Sequence, residues 1–339
     1  MSWKNIEIID ENGEEVSAQA PVIISASRST DIPAFYSDWF IERFKRGYLK
    51  WKNPFNGLYS YVAFKNTRLI VFWSKNPRAL IKHLDYFDDQ GINYYFQYTL
   101  NDYDNEKLEA NVPSVEKRIE TFIELSEKIG KEKVIWRFDP YILTNSSDVQ
   151  ELLKRTEYIG DKLYGHTEKL VFSFADINSY RKVENNLNRQ KVLYSEFSPE
   201  TMNELAQGLR QLNEKWNYEI WTCAEKIDLG KYGIVHNKCV DDDLMIKLFH
   251  DDRELMRVLG VKVNGPDLFN PGSTVEKGKS LKDPGQRALC GCIISKDIGQ
   301  YNTCPHGCVY CYANTSHDTA TSNYNQHRKS LEGETITGG

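Results

Sequence analysis

The stretch TRLIVFWSKNPRALIKHL (67–84) contains one complete building unit of this chain. TRLIVFWS is a nearly continuous run of apolar and β-branched residues, which is typical of a strand covered on both faces. Asn76 and Pro77 then open an amphipathic segment, since Asn is a favoured helix cap and Pro is favoured in the first turn. A strand followed directly by a helix is the repeating unit of a parallel α/β sheet.

The same unit recurs along most of the chain. Strand-like runs occur at 21–27, 67–74, 93–99, 133–138, 169–175 and 218–224. Amphipathic segments follow them at 32–48, 77–90, 112–129, 147–163, 199–216 and 241–258. Six strand–helix units in series predict a parallel sheet. We expect an α/β fold, a (β/α) barrel or partial barrel of about six units, with a doubly wound open sheet as the alternative.

The pattern also divides the chain into three parts. Residues 1–20 form an N-terminal segment, 21–264 the barrel-like domain, and 265–339 a cysteine-rich extension in which Gly, Pro, Ser and Lys replace regular patterning. Within the domain, LYSYVAFKNTRLIVFW (58–73) predicts a hairpin that turns at Lys65–Asn66. Bound metal would stabilise an extension with so little regular structure, and we expect it to pack over the mouth of the barrel.

Composition limits the function classes. The net charge of −5 over 339 residues argues against a broad nucleic-acid-coating face, although a local basic groove is not excluded. No signal-peptide pattern and no run of 18 apolar residues occur, so we expect a cytoplasmic protein without a membrane partner. In that reducing compartment, metal binding or catalysis outranks disulfides as a role for the seven cysteines.

Polar residues mark the carboxyl ends of the predicted strands, where ligands bind in parallel α/β folds. Any one of them could be a cap, a turn residue or half of an ion pair, but the set predicts a concave polar site. The arginines suit bidentate binding of carboxylate or phosphate, and the acids could bind a ribose, an amine or a proton. The candidate catalytic residues are Arg28, Asp31, Lys75, Arg137, Asp139 and Glu225.

Three cysteines cluster in CPHGCVYCYAN (304–314), at the spacing C-x3-C-x2-C. Thiolates this close in sequence can converge on one metal centre. Three ligands leave one iron of a [4Fe-4S] cluster open to bind a substrate or cofactor. Zinc is the alternative, with His306 or His317 as a fourth ligand. The predicted ligands of this first cluster are Cys304, Cys308 and Cys311.

The remaining four cysteines are Cys223, Cys239, Cys290 and Cys292. Four thiolates are a complete ligand set for a second iron–sulfur cluster or for a structural zinc ion. The closely spaced Cys290–Gly291–Cys292 pair favours metal over four unrelated buried thiols. Such a site would attach the extension to the domain and place the first cluster over its mouth.

The cysteine loop closely resembles that of radical S-adenosylmethionine enzymes, including the aromatic residue before the last cysteine. The chain as a whole resembles a bacterial family known as domain of unknown function 1848. SASRSTDIPAFY (25–36), VFWSKNP (71–77) and CGCIISKDIGQYNTCPHGCVYCYAN (290–314) carry that resemblance. Two departures from the radical enzymes stand out: the loop follows six strand–helix units, and SKNP (74–77) stands where they have Gly-Gly-Glu.

The resemblance implies a specific chemistry. The cluster would bind the amino and carboxylate groups of S-adenosylmethionine, and one-electron cleavage of that cofactor would give a 5′-deoxyadenosyl radical that acts on an unidentified substrate. Flavodoxin or ferredoxin would be a suitable electron donor. Tyr310, Tyr312 and Asn314 would contact the cofactor. The alternative class is a non-enzymatic zinc or iron–sulfur protein acting in electron transfer, regulation, or binding of nucleic acid or protein.

Overall fold

The computed structural model describes residues 3–264, 274–278 and 281–338. Its strands are β1 Asn5–Ile9, β2 Glu15–Gln19, β3 Ile23–Ala26, β4 Tyr48–Lys52, β5 Tyr59–Ala63, β6 Leu69–Ser74, β7 Asn93–Thr99, β8 Val134–Tyr141, β9 Leu143–Thr144, β10 Lys169–Phe174, β11 Tyr194–Ser195, β12 Glu219–Thr222, β13 Val235–His236, β14 Val261–Asn264, β15 Thr274–Lys277 and β16 Lys296–Asp297. Residues 1–2, in the predicted N-terminal segment, and 265–273, 279–280 and 339, in the predicted extension, lie outside the described residues.

Eleven α-helices connect and cover these strands in the described part of the chain. They are α1 Ile32–Phe35, α2 Ser37–Arg46, α3 Arg78–Ile81, α4 Leu84–Asp89, α5 Val115–Ile129, α6 Val149–Leu163, α7 Arg181–Arg189, α8 Pro199–Trp216, α9 Asp242–Phe249, α10 Arg253–Val258 and α11 His317–His327. None of them combines the length and the apolar character needed to cross a bilayer.

Local sequence explains where several helices begin and end, but the cap predicted at Asn76 is wrong: α3 begins at Arg78, with Pro77 at the cap position and no side-chain cap. Ser198 caps α8 in a reciprocal capping box with Thr201, and Pro199 occupies its first position. Helix α6 is capped by Asp148, whose carboxylate accepts from the backbone N–H of Glu151. Helix α2 ends at Gly47, which has the left-handed conformation that glycine adopts without steric cost.

A mixed α/β architecture with one large parallel sheet is confirmed. Its eight strands run in the order β13-β12-β10-β8-β7-β6-β3-β16, and every neighbouring pair is parallel. All six predicted strands belong to it. Apart from β16, the strands of this sheet are arranged in the order in which they occur along the chain. That order is the one found in a barrel, whereas the order of a doubly wound sheet reverses.

Of the predicted barrel or partial barrel, a closed barrel is not what the structure shows. Within the described residues, β13 and β16 are the edges of an open sheet and do not pair with each other. One face packs against the helices that connect the strands. The opposite face of the sheet is the one that would line the interior if the sheet closed into a barrel. It packs instead on α9 and α10, through Met245, Phe249, Leu255 and Met256, and on Cys290, Cys292 and Ile293. These side chains fill the inner face of the open sheet, which a closed barrel would enclose.

The hairpin predicted at 58–73 is wrong, because its two strands belong to different sheets. Strand β5 pairs antiparallel with β4 and parallel with β2, in a four-stranded sheet that includes β1. Strand β6 pairs with β3 and β7 in the large sheet. Val62 and Ala63 are buried in the small sheet, so hydrophobic burial decided the partner and adjacency in sequence did not.

The C-terminal extension rejoins the large sheet through β16. Lys296 pairs with Ile24 and Asp297 with Ser25, in parallel register with β3. The carboxyl end of β16 therefore lies at the same edge of the sheet as the carboxyl ends of the other strands. Cys304 follows seven residues later. This pairing delivers the last motif of the sequence to the ligand-binding edge of the sheet.

Candidate functional site

The cysteine loop 304–314 is held by hydrogen bonds over the carboxyl end of the sheet. The hydroxyl of Tyr36 donates to the carbonyl of Thr303 (2.5 Å), and Asn111 donates to the carbonyls of Pro305 (2.8 Å) and His306 (2.9 Å). The Val309 N–H donates to the carbonyl of Leu108 (2.8 Å). These contacts come from α1 and from the loop after β7, so the position of the cysteines is fixed by the domain.

Asp31 joins this loop to two strand ends. Its carboxylate caps α1 by accepting from the Ala34 N–H (3.0 Å) and accepts from the Ser74 hydroxyl (2.7 Å) and the Lys75 N–H (2.8 Å). The His306 ring, inside the cysteine loop, lies 2.7 Å from the same carboxylate. All acceptor capacity of Asp31 is therefore used to position backbone and loop.

Lys75 belongs to a buried charge network beneath the loop. Its ammonium lies 2.7 Å from Glu109 and donates to the hydroxyl of Tyr310 (2.9 Å). Arg118 lies 3.2 Å from the other oxygen of Glu109, and the Tyr310 hydroxyl also donates to that carboxylate. Burial opposes the charge of Glu109, but Lys75 and Arg118 outweigh it and lower the pKa of Glu109 to about 2. Tyr310 thus connects the loop to a fully ionised network.

The three thiols of the loop, on Cys304, Cys308 and Cys311, are half-buried and free. Burial raises the pKa of Cys304 to about 12 and raises those of the other two as well, so without a cation each thiol is protonated. In the described part of the chain, Asp241, Asp242 and Asp243 are the only three potential metal ligands whose ligand atoms all lie within 4.8 Å of one another.

The spacing of the loop thiols bears on the kind of metal. Ligands of one tetrahedral zinc ion, with Zn–S bonds of about 2.3 Å, lie about 3.8 Å apart, whereas each ligand of a four-iron cluster binds a different iron and stands further off. Among the described residues, the three loop thiols do not form a group within 4.8 Å of one another. Neither histidine suggested as a fourth zinc ligand completes such a group: His306 is bonded to Asp31, and His317 lies 3.4 Å from the Thr321 hydroxyl.

The other four cysteines also come together. The sulfurs of Cys223 and Cys239 are 3.6 Å apart, and the backbone N–H of Cys239 donates to the sulfur of Cys292 (3.2 Å). Cys290, two residues before Cys292 in the same segment, hydrogen-bonds with it. The group draws on the end of β12, the segment before α9 and the extension. It therefore ties the extension to the inner face of the sheet.

Donors surround Cys239 in particular. Arg137 donates to its sulfur (3.0 Å), as does the side chain of Asn237 (3.2 Å). Hydrogen bonds with the thiols of Cys223 and Cys292, and then the charge of Arg137, hold the pKa of Cys239 well below its ordinary value. These contacts favour the thiolate of Cys239, the form that binds metal.

Acidic groups line the next part of the edge. Arg137 is paired with Asp139 and also donates to the side-chain carbonyl of Gln97 (2.9 Å), while Ser173 donates to the second oxygen of Asp139. Glu225, after β12, accepts from the Phe174 N–H (2.9 Å). Burial raises the pKa of Glu225 to about 7, which makes it the acid of this edge whose protonation changes near neutral pH.

The residues assigned to the cofactor occupy different surroundings. Tyr312 is 47% exposed and donates to the backbone carbonyl of Arg28 (3.0 Å). Asn314 donates to the carbonyl of Cys304 (2.7 Å) and so closes the loop on itself. Tyr310 is enclosed in the Glu109 network. Of the three, Tyr312 is the one with a surface open to a ligand.

Several residues of the site were not found from the sequence. Glu109, Arg118, Trp73 and Asp297 are ordinary in their local context, and no spacing or motif marks them. Only the fold brings Glu109 to Lys75, 34 positions away, and Asp297 to Ser25, 272 positions away. The loop cysteines were identifiable because three of the seven cysteines of the chain lie within eight residues of one another.

The family model described as "Domain of unknown function (DUF1848)" matches residues 23–313. The matched span runs from the first strand of the large sheet to the residue before Asn314 and includes both cysteine groups. No curated protein matches the sequence.

Proposed function

The chain belongs to the DUF1848 family, and from its site geometry we propose that it is an iron–sulfur enzyme of the radical S-adenosylmethionine type. The observation that supports this most is the loop 304–311, which carries three cysteines and is held by hydrogen bonds over the carboxyl edge of a parallel sheet. Cys304, Cys308 and Cys311 would hold a [4Fe-4S] cluster with one open iron.

The cluster and S-adenosylmethionine would supply one-electron chemistry leading to a 5′-deoxyadenosyl radical, with flavodoxin or ferredoxin as electron donor. The residues of the chain position and enclose that chemistry. Asp31 and Asn111 hold the loop over the sheet, and the Lys75–Glu109 pair places charge beneath Cys308. Tyr312 offers an exposed ring beside the last cysteine.

Glu225 and Asp139 are the acid–base groups of the proposed site. Glu225 has a pKa of about 7, so it can hold or release a proton at neutral pH, while Asp139 is bound to Arg137 and Ser173. Lys75 and Arg137 are each paired with a carboxylate, and this pairing assigns them to positioning. Arg28 has no such partner among the described residues.

For Cys223, Cys239, Cys290 and Cys292 we propose a second metal site. A second [4Fe-4S] cluster is one candidate occupant. Zinc is the other: the 3.6 Å between the sulfurs of Cys223 and Cys239 matches one edge of a tetrahedral thiolate site, although among the described residues no three of the four thiols lie within 4.8 Å of one another. A chain that held zinc alone would belong to the second functional class, a non-enzymatic metal-binding protein.

One anaerobic preparation tests the proposal. The purified protein should be brown and contain iron and acid-labile sulfide. After reduction with dithionite, S-adenosylmethionine should change its electron paramagnetic resonance signal, and chromatography should detect 5′-deoxyadenosine. A colourless protein with zinc as its metal would contradict the cluster. A fully iron-loaded protein that neither changes its signal nor forms 5′-deoxyadenosine would contradict the enzymatic part and leave an electron-transfer or regulatory protein.

A further inference from the structure

The guanidinium of Arg28 lacks a partner for its charge. Among the described residues, no carboxylate lies within ion-pair distance of it and its side chain makes no hydrogen bond; its Nη2 atom is also buried. By contrast, Lys75 is paired with Glu109 and Arg137 with Asp139. A buried charge without a partner is costly, so an unpaired guanidinium at the ligand-binding edge of the sheet points to a missing anion.

The nearest carboxylate is already occupied by other donors. Asp297 accepts from the hydroxyls of Ser25 (2.9 Å) and Ser27 (2.8 Å), from the backbone N–H of Arg28 (2.8 Å) and from that of Gly299 (3.0 Å). Burial opposes the charge of the Arg28 side chain, but the fields of Asp297, Cys292 and Cys239 outweigh it and raise the pKa of Arg28. The guanidinium therefore stays charged while its own donors remain free.

The neighbouring thiols do not take these donors either. The sulfur of Cys239 accepts from Arg137 and Asn237, and the sulfur of Cys292 from the backbone N–H groups of Cys239 and Val240. Arg28 donates to neither. The missing acceptor is thus separate from the hydrogen bonds that the four-cysteine group already makes.

A second unsatisfied donor lies beside the first. The guanidinium of Arg28 lies 5.3 Å from the ring centre of Trp73, and the indole N–H of Trp73 is also buried without a partner. Arg137 lies 5.4 Å from the same ring. Two buried donors without partners on contacting side chains, one of them carrying an unpaired charge, are the features that bind an oxyanion.

The position also separates this anion from the carboxylate of S-adenosylmethionine. That carboxylate would have to reach the open iron held by Cys304, Cys308 and Cys311. The cations whose charges act on that group are Lys75, near Cys308, and Lys182, near Cys311, whereas Arg28 is near Cys292 and Cys239. Tyr312, which follows Cys311, contacts the backbone of Arg28. Arg28 therefore lies on the side of the four-cysteine group and next to the loop.

We propose that Arg28 and Trp73 form a binding site for the carboxylate or phosphate group of a second ligand, between the two cysteine groups. The assignment of this ligand as the substrate rests on the proposed function, but the anion site itself does not.

The test uses the anaerobically purified, metal-loaded protein and two probes, inorganic phosphate and acetate, with chloride at equal ionic strength as the reference. Binding is measured from the rise in the thermal midpoint with anion concentration. Phosphate, acetate or both should raise the midpoint above the chloride reference. Phosphate alone would indicate a phosphorylated ligand, and acetate alone a carboxylic acid.

Three variants locate the binding. Arg28→Gln should weaken it about 10-fold or more, because a charge-assisted hydrogen bond is lost. Arg28→Lys keeps the charge but loses the planar fork and should give a smaller loss. Trp73→Phe removes the indole N–H together with part of the ring and should weaken binding about 2- to 10-fold. Arg257→Gln, in an exposed ion pair on α10, is the control and should bind as the wild type does.

The outcomes separate this proposal from the proposed function. No rise above chloride, or an equal rise in Arg28→Gln, would overturn the anion site even in a protein that forms 5′-deoxyadenosine. An Arg28-dependent rise in a protein that forms none would support the site while the enzymatic proposal fails. If Arg28→Gln does not fold, Arg28→Lys decides, since it retains the charge and the length of the side chain but loses the planar fork.

Discussion

The two cysteine groups are built in different ways. Cys304, Cys308 and Cys311 belong to one loop, and their sulfurs make no hydrogen bonds with one another among the described residues. Cys223, Cys239, Cys290 and Cys292 come from three separate segments and contact one another directly, with 3.6 Å between the first two sulfurs. The loop needs the fold only to be placed, whereas the second group exists only because the chain is folded.

This difference suggests that the two cysteine groups have different roles. The loop lies at the ligand-binding edge and suits chemistry on a bound molecule. The four-cysteine group is part of the hydrophobic core on the inner face of the sheet, together with Ile293 and α9, and suits a structural or electron-relay role. The predictions below test that difference in roles, from the largest expected effect to the smallest.

Replacing Cys304, Cys308 and Cys311 together with Ala should abolish 5′-deoxyadenosine formation, because every protein ligand of the first cluster is lost. Iron content should fall by about four atoms per chain. Metal in the four-cysteine group should remain, as about four irons or one zinc. Iron, zinc and sulfide analysis of the same sample is the measurement. Product formation by this variant would place the chemistry elsewhere.

Cys239→Ala should destabilise the whole fold, since the free energy of metal binding at such a site is also free energy of folding. We expect a loss of about 5 kcal/mol or more in the free energy of unfolding. Anaerobic denaturant unfolding measures it, with Cys308→Ala as the matched control. Equal losses in the two variants would contradict the contrast between a structural group and a chemical one.

Glu109→Gln should cost about 3–5 kcal/mol of stability, because Lys75 and Arg118 then remain buried without a counter-charge. Glu157→Gln, in an exposed pair with Lys215, is the control and should change stability by less than about 1 kcal/mol. The two variants are compared by urea unfolding at pH 7. A loss for Glu109→Gln as small as the control's would show that the network is not what fixes Tyr310 and the loop.

Glu225 should make stability depend on pH. Its pKa in the folded protein is about 7, above the ordinary value of 4.5, so folding favours the protonated form. This contribution is complete below about pH 4.5 and is lost as the pH rises through about 7. Relative to Glu225→Gln, the wild type should lose on the order of 1–3 kcal/mol between pH 5 and pH 8. Parallel stability curves for the two proteins over this range would contradict the shift.

Sequence patterns were sufficient wherever the deciding interactions are local. Buried parallel strands read as continuous apolar runs, and all six predicted strands belong to the large sheet. The Ser198 cap of α8 needed only the next three residues. The cysteine loop was identifiable because its ligands lie within eight residues of one another.

Long-range contacts decided the rest. The partner of β5 is in the small sheet, and closure of a barrel was prevented because α9, α10 and residues 290–293 fill the inner face. Neither outcome can be derived from local periodicity, because periodicity reports which face is buried and not what covers it. The same holds for the pairing of Lys75 with Glu109.

The sequence by itself therefore determined the parallel strands, the Ser198 cap of α8 and the cysteine loop 304–311, since each depends on residues close together in the chain. Tertiary structure alone decided that β16 pairs with β3 and so brings the loop to the edge of the sheet. It also decided that Arg137 is neutralised by Asp139 while Arg28 is not. The physical reason is that a charge acts over a few ångströms of space, and only folding brings distant residues that close.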